Sequence, residues 1–465
     1  MPGWSESSSF RRTATGALLG LGFLVVLGLP LLLHPRQEAA AAAEAAGLPE
    51  RELIILSIHT ETIRREFERA FSEWTAKTQG YTVRIDWLDV GGTNDAIKFV
   101  DDRFRQRPEG INVDVFFGGG MDPFLHFSEV GLLHRCHLPQ DVLTPIPPTI
   151  AGSEVYDKDQ RWFGTCLAGF GIMYNKTVVK FLGLPEPETW ADLGRPAYYT
   201  WVSSADPRQS GSIYMAYEIM LQAYGWQEGW GQLVRIGGNC RDFSRQASQV
   251  PLDVSAGEAA AGMAIDFYAL RAIAEAGEDR LAFVLPRPLT VINPDAVGVL
   301  KGAPHAELAE LFIRFVLSED GQKLWVLRAG APGGPKKFDL FRLPIIPGLA
   351  KRYAQYAAVK MDPFDFQSNM ALDVEKKNLR RRVVSDLFGA LVIDSHDELA
   401  AAWGAVRNLP QNDPRVRELL QPPVSEGELL ELAKAKWQDP KFRADTIAKW
   451  SEEARLRYRH VAEGT

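Results

Sequence analysis

Residues 206–212 read Asp-Pro-Arg-Gln-Ser-Gly-Ser and run directly into an apolar stretch at 213–224. Proline, serine and glycine are poor in a helix interior and good at its entrance. Ser210 or Ser212 can cap the helix that the apolar stretch predicts. The first backbone N–H groups of such a helix have no intrahelical acceptor. At the positive end of the helix dipole they favour a phosphate, phosphonate, sulfonate or carboxylate. An ordinary capped helix fits the same seven residues. Arg208 could add a guanidinium fork to an oxyanion, or stand as an exposed loop charge.

Three further loops have residue types suited to ligand contact. His59 and Thr60 follow a strand expected at 52–58, in which Leu53, Ile54, Ile55, Leu56 and Ile58 give the apolar pattern of a buried parallel strand. Gly91, Gly92 and Thr93 follow a second strand at 81–88, and Gly118, Gly119 and Gly120 follow a third at 113–117. Helices are predicted after each, at 63–74, 96–106 and 123–129. This β-loop-α repetition predicts a doubly wound parallel sheet, in which ligands sit at the carboxyl ends of strands. Each loop also has a plain reading: a β-to-α turn at 91–93, close packing of a following helix at 118–120, a structural histidine at 59.

Further along, two short strands are expected around Gly169 within 161–174, then a strand at 198–202. Helices are expected at 213–224 and 226–237, a helix start at 254–257, and a strand at 262–267 ending in Asp266, Phe267 and Tyr268. Strands at 281–285 and 297–300, with Val291 between them, return toward the first sheet, and 306–317 is a strongly apolar helix. Trp226 and Trp230, four apart on a helix, are expected to pack together. From about 366 the chain is mostly helical and charged, placed against one lobe or facing a partner.

The chain has 465 residues and 46% hydrophobic composition, enough for two or more lobes. Its net charge of -7 argues against general nucleic-acid binding. No P-loop, HExxH motif or nucleophile elbow is present, so the residues do not point to an enzyme. Cys136, Cys166 and Cys240 lie far apart without metal-ligand spacing and read as three separate buried thiols. His126, His134 and His137 cluster in sequence but read as scattered positions, because metal binding needs convergence. No cofactor is implied.

The first 48 residues read as a targeting segment. Arg11 and Arg12 precede an almost wholly apolar run at 17–33, and an alanine-rich tract at 39–46 offers cleavage sites. The run is either a cleaved signal peptide or a retained anchor. Both place the remainder outside the cytoplasmic membrane, consistent with positive-inside logic.

Seven stretches together carry a resemblance: 116–122, 171–175, 206–212, 225–230, 257–268, 315–322 and 332–335. In this order the chain resembles the extracellular solute-binding proteins of ABC importers, in the subgroup of ferric-ion, phosphonate and sugar-phosphate receptors. The resemblance runs over about 50–350 and does not cover the C-terminal portion. It implies two α/β lobes joined by two crossing strands, a type II periplasmic-binding-protein fold with ligand in the cleft. Lobe 1 would be 49–173 with 294–365, lobe 2 174–293, and 366–465 a helical extension. The hinge would lie near 174–176 and 289–297.

The resemblance also implies a small anionic or zwitterionic solute as ligand, with an ABC permease and its ATPase as partners. Ser210, Gly211 and Ser212 match the family's anion-binding helix start. His59, Thr60, Gly92, Thr93, Gly119 and Gly120 would line the first lobe's side. Asp266 and Tyr268 would close the second, the carboxylate toward a ligand ammonium. Ferric binders carry paired tyrosines at this segment; here Phe267 stands beside Tyr268, which demotes iron.

Overall fold

The computed structural model describes residues 47–464, apart from 151–152, 288, 367–369 and 371. The targeting segment expected at the N-terminus therefore lies almost entirely outside the described residues. Among the described residues no helix is long and apolar enough to cross a membrane.

The first half follows the predicted alternation: β1 (Glu50–Ser57), α1 (Glu61–Gln79), β2 (Thr82–Leu88), α2 (Thr93–Gln106), β3 (Val115–Phe117) and α3 (Asp122–Glu129). α2 shows why. Ala96, Val100 and Phe104 recur every four residues and are all buried, while charged residues fill the other face. The described residues form two compact units. The smaller holds 47–53 and 67–86, where the Thr82 N–H donates to the Pro49 carbonyl at 2.9 Å and the Val83 N–H to Ser72 Oγ at 3.1 Å. The larger holds 54–66 and 87–464 and contains the site.

In the larger unit, β1 and β3 pair in parallel, with Ile55 opposite Val115 and Ser57 opposite Phe117. The chain then forms β4 (Phe163–Asn175), one strand of 13 residues, every one of them buried. This corrects the expectation of two short strands around Gly169. The glycines are needed for close crossings rather than for a break. A Cβ at Gly171 would lie 2.2 Å from the Val284 carbonyl oxygen, and one at Gly169 would lie 2.9 Å from Leu285 Cδ2.

Three other boundaries differ from expectation. Residues 196–198 form a 3-10 turn and the strand begins only at Val202, as β5 (Val202–Ala205). Pro196 opens that turn, and Thr200 at φ 66° interrupts extended backbone before β5. After α4 (Gly211–Ala223), α5 (Gly225–Asn239) and β6 (Cys240–Ser244), the helix α6 (Gln249–Ala256) ends at Gly257 rather than starting near it. Gly257 takes the left-handed conformation that terminates helices, φ 78°. β7 (Ala261–Ile265) stops one residue short of Asp266, which begins α7 (Asp266–Ala276). An acidic residue suits a helix's first turn.

β8 (Leu281–Val284) and β9 (Ile292–Val299) complete the sheet, and the apolar helix α8 (Ala306–Leu317) follows. β9 runs antiparallel between β3 and β4. β4 changes partners along its length. Phe163 to Gly169 face β9, whereas Phe170 to Tyr174 face β7. β8 pairs with the same latter half on its other edge. β7, β5 and β6 continue the sheet in parallel. One strand thus passes from a first half built on β1, β3 and β9 to a second built on β7, β5 and β6.

The C-terminal portion contains α9 (Val374–Phe388), α10 (His396–Val406) and α11 (Pro440–Glu463), with shorter helices between them. It shares one continuous core with the second half: Val384, Leu387, Trp403, Leu419, Trp450 and Tyr458 join Tyr217, Trp230 and Leu233. Gly237 and Gly238 on α5 permit this contact. A Cβ on either would lie within 2.7 Å of Val392 or Trp403. The C-terminal region is thus packed against the second half. Trp226 and Trp230 do pack together, ring centroids 5.9 Å apart. The three cysteines are free and buried. Burial pushes their thiols up, Cys136 to about 12.

Candidate functional site

A cleft of about 290 Å³ lies where the two halves meet. Its first wall is built by loops at the carboxyl ends of strands: Ile58, His59 and Thr60 after β1, Thr93 at the start of α2, and Gly119, Gly120, Met121 and Asp122 after β3. The second wall contains Gly211, Ser212, Tyr214 and Met215 from α4, with Ile265, Phe267 and Tyr268 from the β7–α7 junction. Ala168 and Phe170 of β4 and Asn293 to Asp295 of β9 form the floor. Arg342 and Arg381 complete the lining.

Ser210 is the helix cap. Its Oγ accepts the Ile213 N–H at 3.3 Å, and the side chain is buried. Ser212 lies in the cleft, its Oγ 3.3 Å from that of Ser210. The N–H groups of Gly211 and Ser212, in the first turn, have no intrahelical acceptor. The two serines thus divide the work: one holds the helix start and the other faces the cleft.

His59 is buried against Phe117, with the ring centroids 4.4 Å apart. Gly118 makes room for it. At φ 92°, a Cβ there would lie 2.8 Å from His59 Nε2. Burial pushes the imidazole down to about 4, against the pull of Asp295, whose carboxylate lies 4.0 Å from Nδ1. His59 is therefore neutral at neutral pH, and its Nε2 has no hydrogen-bond partner. Asp295 accepts the Gly120 N–H at 2.7 Å and faces the Arg342 guanidinium at 3.6 Å. Arg342 in turn lies over Phe267, its Cζ 3.6 Å from the ring centroid.

At the cleft mouth, Asp122 Oδ2 accepts from Arg381 Nη1 at 3.1 Å, and Oδ1 accepts from Lys377 Nζ. Both cations come from α9, one turn apart.

Several expected residues stand elsewhere. Gly92 is off the cleft lining, its N–H donated to Asp95 Oδ2 at 3.2 Å. Asp266 is fully buried behind the wall. Its carboxylate accepts the N–H groups of Gly169 at 2.8 Å and Phe267 at 2.7 Å. Burial nonetheless pushes it up to about 7. It shapes the wall rather than facing a ligand ammonium. Arg208 is held by Asp206 and by Asp394, at 2.9 Å, which leaves no open fork for an oxyanion. His126 pairs with Asp101 and His134 with Glu310, so those histidines do not converge. Among the described residues, no group of three or more His, Cys, Asp or Glu side chains is placed to hold a metal.

Arg342, Arg381, Lys377 and Asp295 were not readable as site residues. Lys377 and Arg381 sit in a basic run within the helical, charged C-terminal portion. Only their four-residue spacing hinted at a shared target.

The span 115–347, half of the chain, matches the family described as bacterial extracellular solute-binding protein. The chain belongs to this family. Its members' fold and role are those of binding proteins for transport, not of enzymes. The phosphoglycerate transport regulatory protein PgtC of Salmonella typhimurium is 29% identical over 256 residues, 55% of this solute-binding protein and 60% of PgtC. The match thus spans about 60% of that relative's length. Among solved structures, the periplasmic binding protein P5PA superposes with a TM-score of 0.56 at 19% identity, over 73% of this chain and 99% of that one. The periplasmic binding protein AfuA of Actinobacillus pleuropneumoniae, with exogenous fructose-6-phosphate bound, gives 0.52 at 20% identity, over 78% and 99%. At these identities the likeness is one of fold. It accounts for the mixed sheet with flanking helices, and the helical region after residue 373 is present in addition.

Proposed function

We propose that this solute-binding protein is the extracytoplasmic receptor of an ABC importer. It captures a small anionic or zwitterionic solute by hinge closure and hands it to a membrane permease and its ATPase. Lobe 1 is 49–173 with 294–365 and lobe 2 is 174–293, the extension 366–465 riding on lobe 2. Residues 1–48 act as a cleaved signal or as a tether to the cytoplasmic membrane.

The observation that carries the reading is the charge around the cleft. Three cationic side chains, Arg342, Arg381 and Lys377, face two carboxylates, Asp122 and Asp295, and His59 is neutral. Beside the open N-terminus of α4, the two cations Arg381 and Lys377 share the single carboxylate of Asp122. A phosphate monoester or phosphonate fits that surplus. The phosphoglycerate in the Salmonella relative's name supports a phosphorylated solute. That relative is also named a regulatory protein, which supports a second reading, a receptor that senses solute without transporting it.

The test is a thermal-shift and calorimetric screen with 3-phosphoglycerate, fructose 6-phosphate, 2-aminoethylphosphonate, spermidine and ferric citrate. A ligand far above its Kd raises Tm by mass action. Shifts confined to the phosphorylated or phosphonate compounds are expected. A shift with ferric citrate alone would replace this reading with iron transport and make Tyr268 and His59 the residues to mutate. No shift with any compound overturns it.

A further inference from the structure

We infer that the C-terminal extension supplies part of the ligand site: Arg381 takes the oxyanion of the solute, and Asp122 is the internal carboxylate it exchanges for that oxyanion. This rests on the anion-receptor reading above and names the residue that selects the anion.

α9 lies outside the span that matches the family. It is anchored to the second half by a fully buried pair. Arg380 Nη2 donates to Glu218 Oε1 at 2.7 Å, and neither side chain is exposed. The Tyr214 hydroxyl donates to the Lys377 carbonyl at 2.8 Å. These bonds fix the rotation of α9, so that Lys377 and Arg381 share one face. That face points across the cleft mouth to Asp122, the first residue of α3, in the opposite half. The contact therefore bridges the two halves.

Arg381 is also tied to the anion-binding helix start. A Cβ on Gly211 would lie 3.3 Å from Arg381 Nη2. The lack of a side chain at 211 lets the guanidinium lie beside the first turn of α4. A guanidinium and a helix N-terminus are both positive, and Asp122 is shared between Arg381 and Lys377. Two cations on one carboxylate favour the entry of an anion at this corner. Arg381 is partly exposed and lines the cleft together with Gly211 and Ser212, so an oxyanion on that helix start is within reach of its fork. Lys377, almost fully buried, stays with Asp122 and keeps the bridge in place.

The test is calorimetric titration of the whole protein with 3-phosphoglycerate, fructose 6-phosphate and 2-aminoethylphosphonate, in the wild type and three variants. Arg381→Gln is expected to weaken binding about ten- to hundredfold, the worth of a charge-assisted hydrogen bond. Arg381→Lys should recover only part, because it restores the charge without the fork. Asp122→Asn removes the competing charge but keeps an acceptor for Lys377. It is expected to tighten binding several-fold, and it reports independently of how Arg381→Gln folds. Wild-type affinity in Arg381→Gln, or no tightening in Asp122→Asn, overturns the inference and leaves the anion receptor standing. Failure of the wild type to bind all three compounds instead removes the anion-receptor reading, and this inference with it.

Discussion

The guanidinium of Arg342 lies over the ring of Phe267, Cζ 3.6 Å from the centroid, and from there faces Asp295 across 3.6 Å. The ring comes from the first turn of α7, whereas Arg342 follows a residue of unusual backbone, Phe341 at φ 52°. Two distant segments thus hold one cation at the cleft wall. Phe267→Leu keeps the apolar bulk and removes the π face. It should weaken anion binding by about 0.5–2 kcal/mol, the range for a cation over an aromatic ring. Isothermal titration with 3-phosphoglycerate measures this, and equal affinity in variant and wild type would dismiss the stacking as incidental.

Ser210 and Ser212 separate stability from binding. Ser210→Ala removes the cap on Ile213 N–H and should cost about 1 kcal/mol of unfolding free energy. Ser212→Ala should leave the denaturation midpoint nearly unchanged and weaken anion binding by about 1–3 kcal/mol. Paired denaturation and titration of both variants check the division. The reverse pattern would assign the cleft-facing role to the wrong serine.

How much of this was legible follows from where each signal resides. The alternation of strands and helices through 130, the cap near Ser210 and the glycine loop after β3 are local, written in neighbouring residues. The continuous β4 was not, because its glycines read as breaks until Val284 and Leu285 are seen pressed against them. Asp266 sits at a strand end where ligands are expected, but its carboxylate is turned back onto Gly169. Arg342 and Arg381 owe their position wholly to tertiary packing. Apart from the spacing of Arg381 from Lys377, nothing around them in sequence distinguishes them from other arginines.

The Arg380–Glu218 pair ties α9 to α4 inside the shared core. Removing one member of a buried pair leaves an uncompensated charge, at about 3–5 kcal/mol. Arg380 keeps Glu426 as a second carboxylate partner, so Glu218→Gln should lower stability by less than that. The double variant Glu218→Met with Arg380→Met should recover most of the loss, since apolar replacements of buried pairs are often near neutral. Urea denaturation of the three proteins makes the comparison. A double variant as unstable as the single one would show that the pair does more than anchor the extension.

His59 and Asp266 set opposing pH dependences. His59 is pushed down to about 4 from 6.5 by burial, so between those values the folded protein binds fewer protons than the unfolded chain. Its contribution rises with pH through that window and is lost as pH falls from 6.5 toward 4. Asp266 is pushed up to about 7 from 3.8, also by burial, so the folded protein binds more protons in its window. Its contribution falls as pH rises from 3.8 through 7. The two slopes nearly cancel between about 4 and 6.5. Asp266→Asn removes the falling term. Its stability should climb with pH across that window by on the order of 1.4 kcal/mol per unit relative to wild type. His59→Gln removes the rising term and should decline by a similar slope. Chemical denaturation at half-unit pH steps resolves both, and parallel curves for all three proteins would mean that neither group titrates differently on folding.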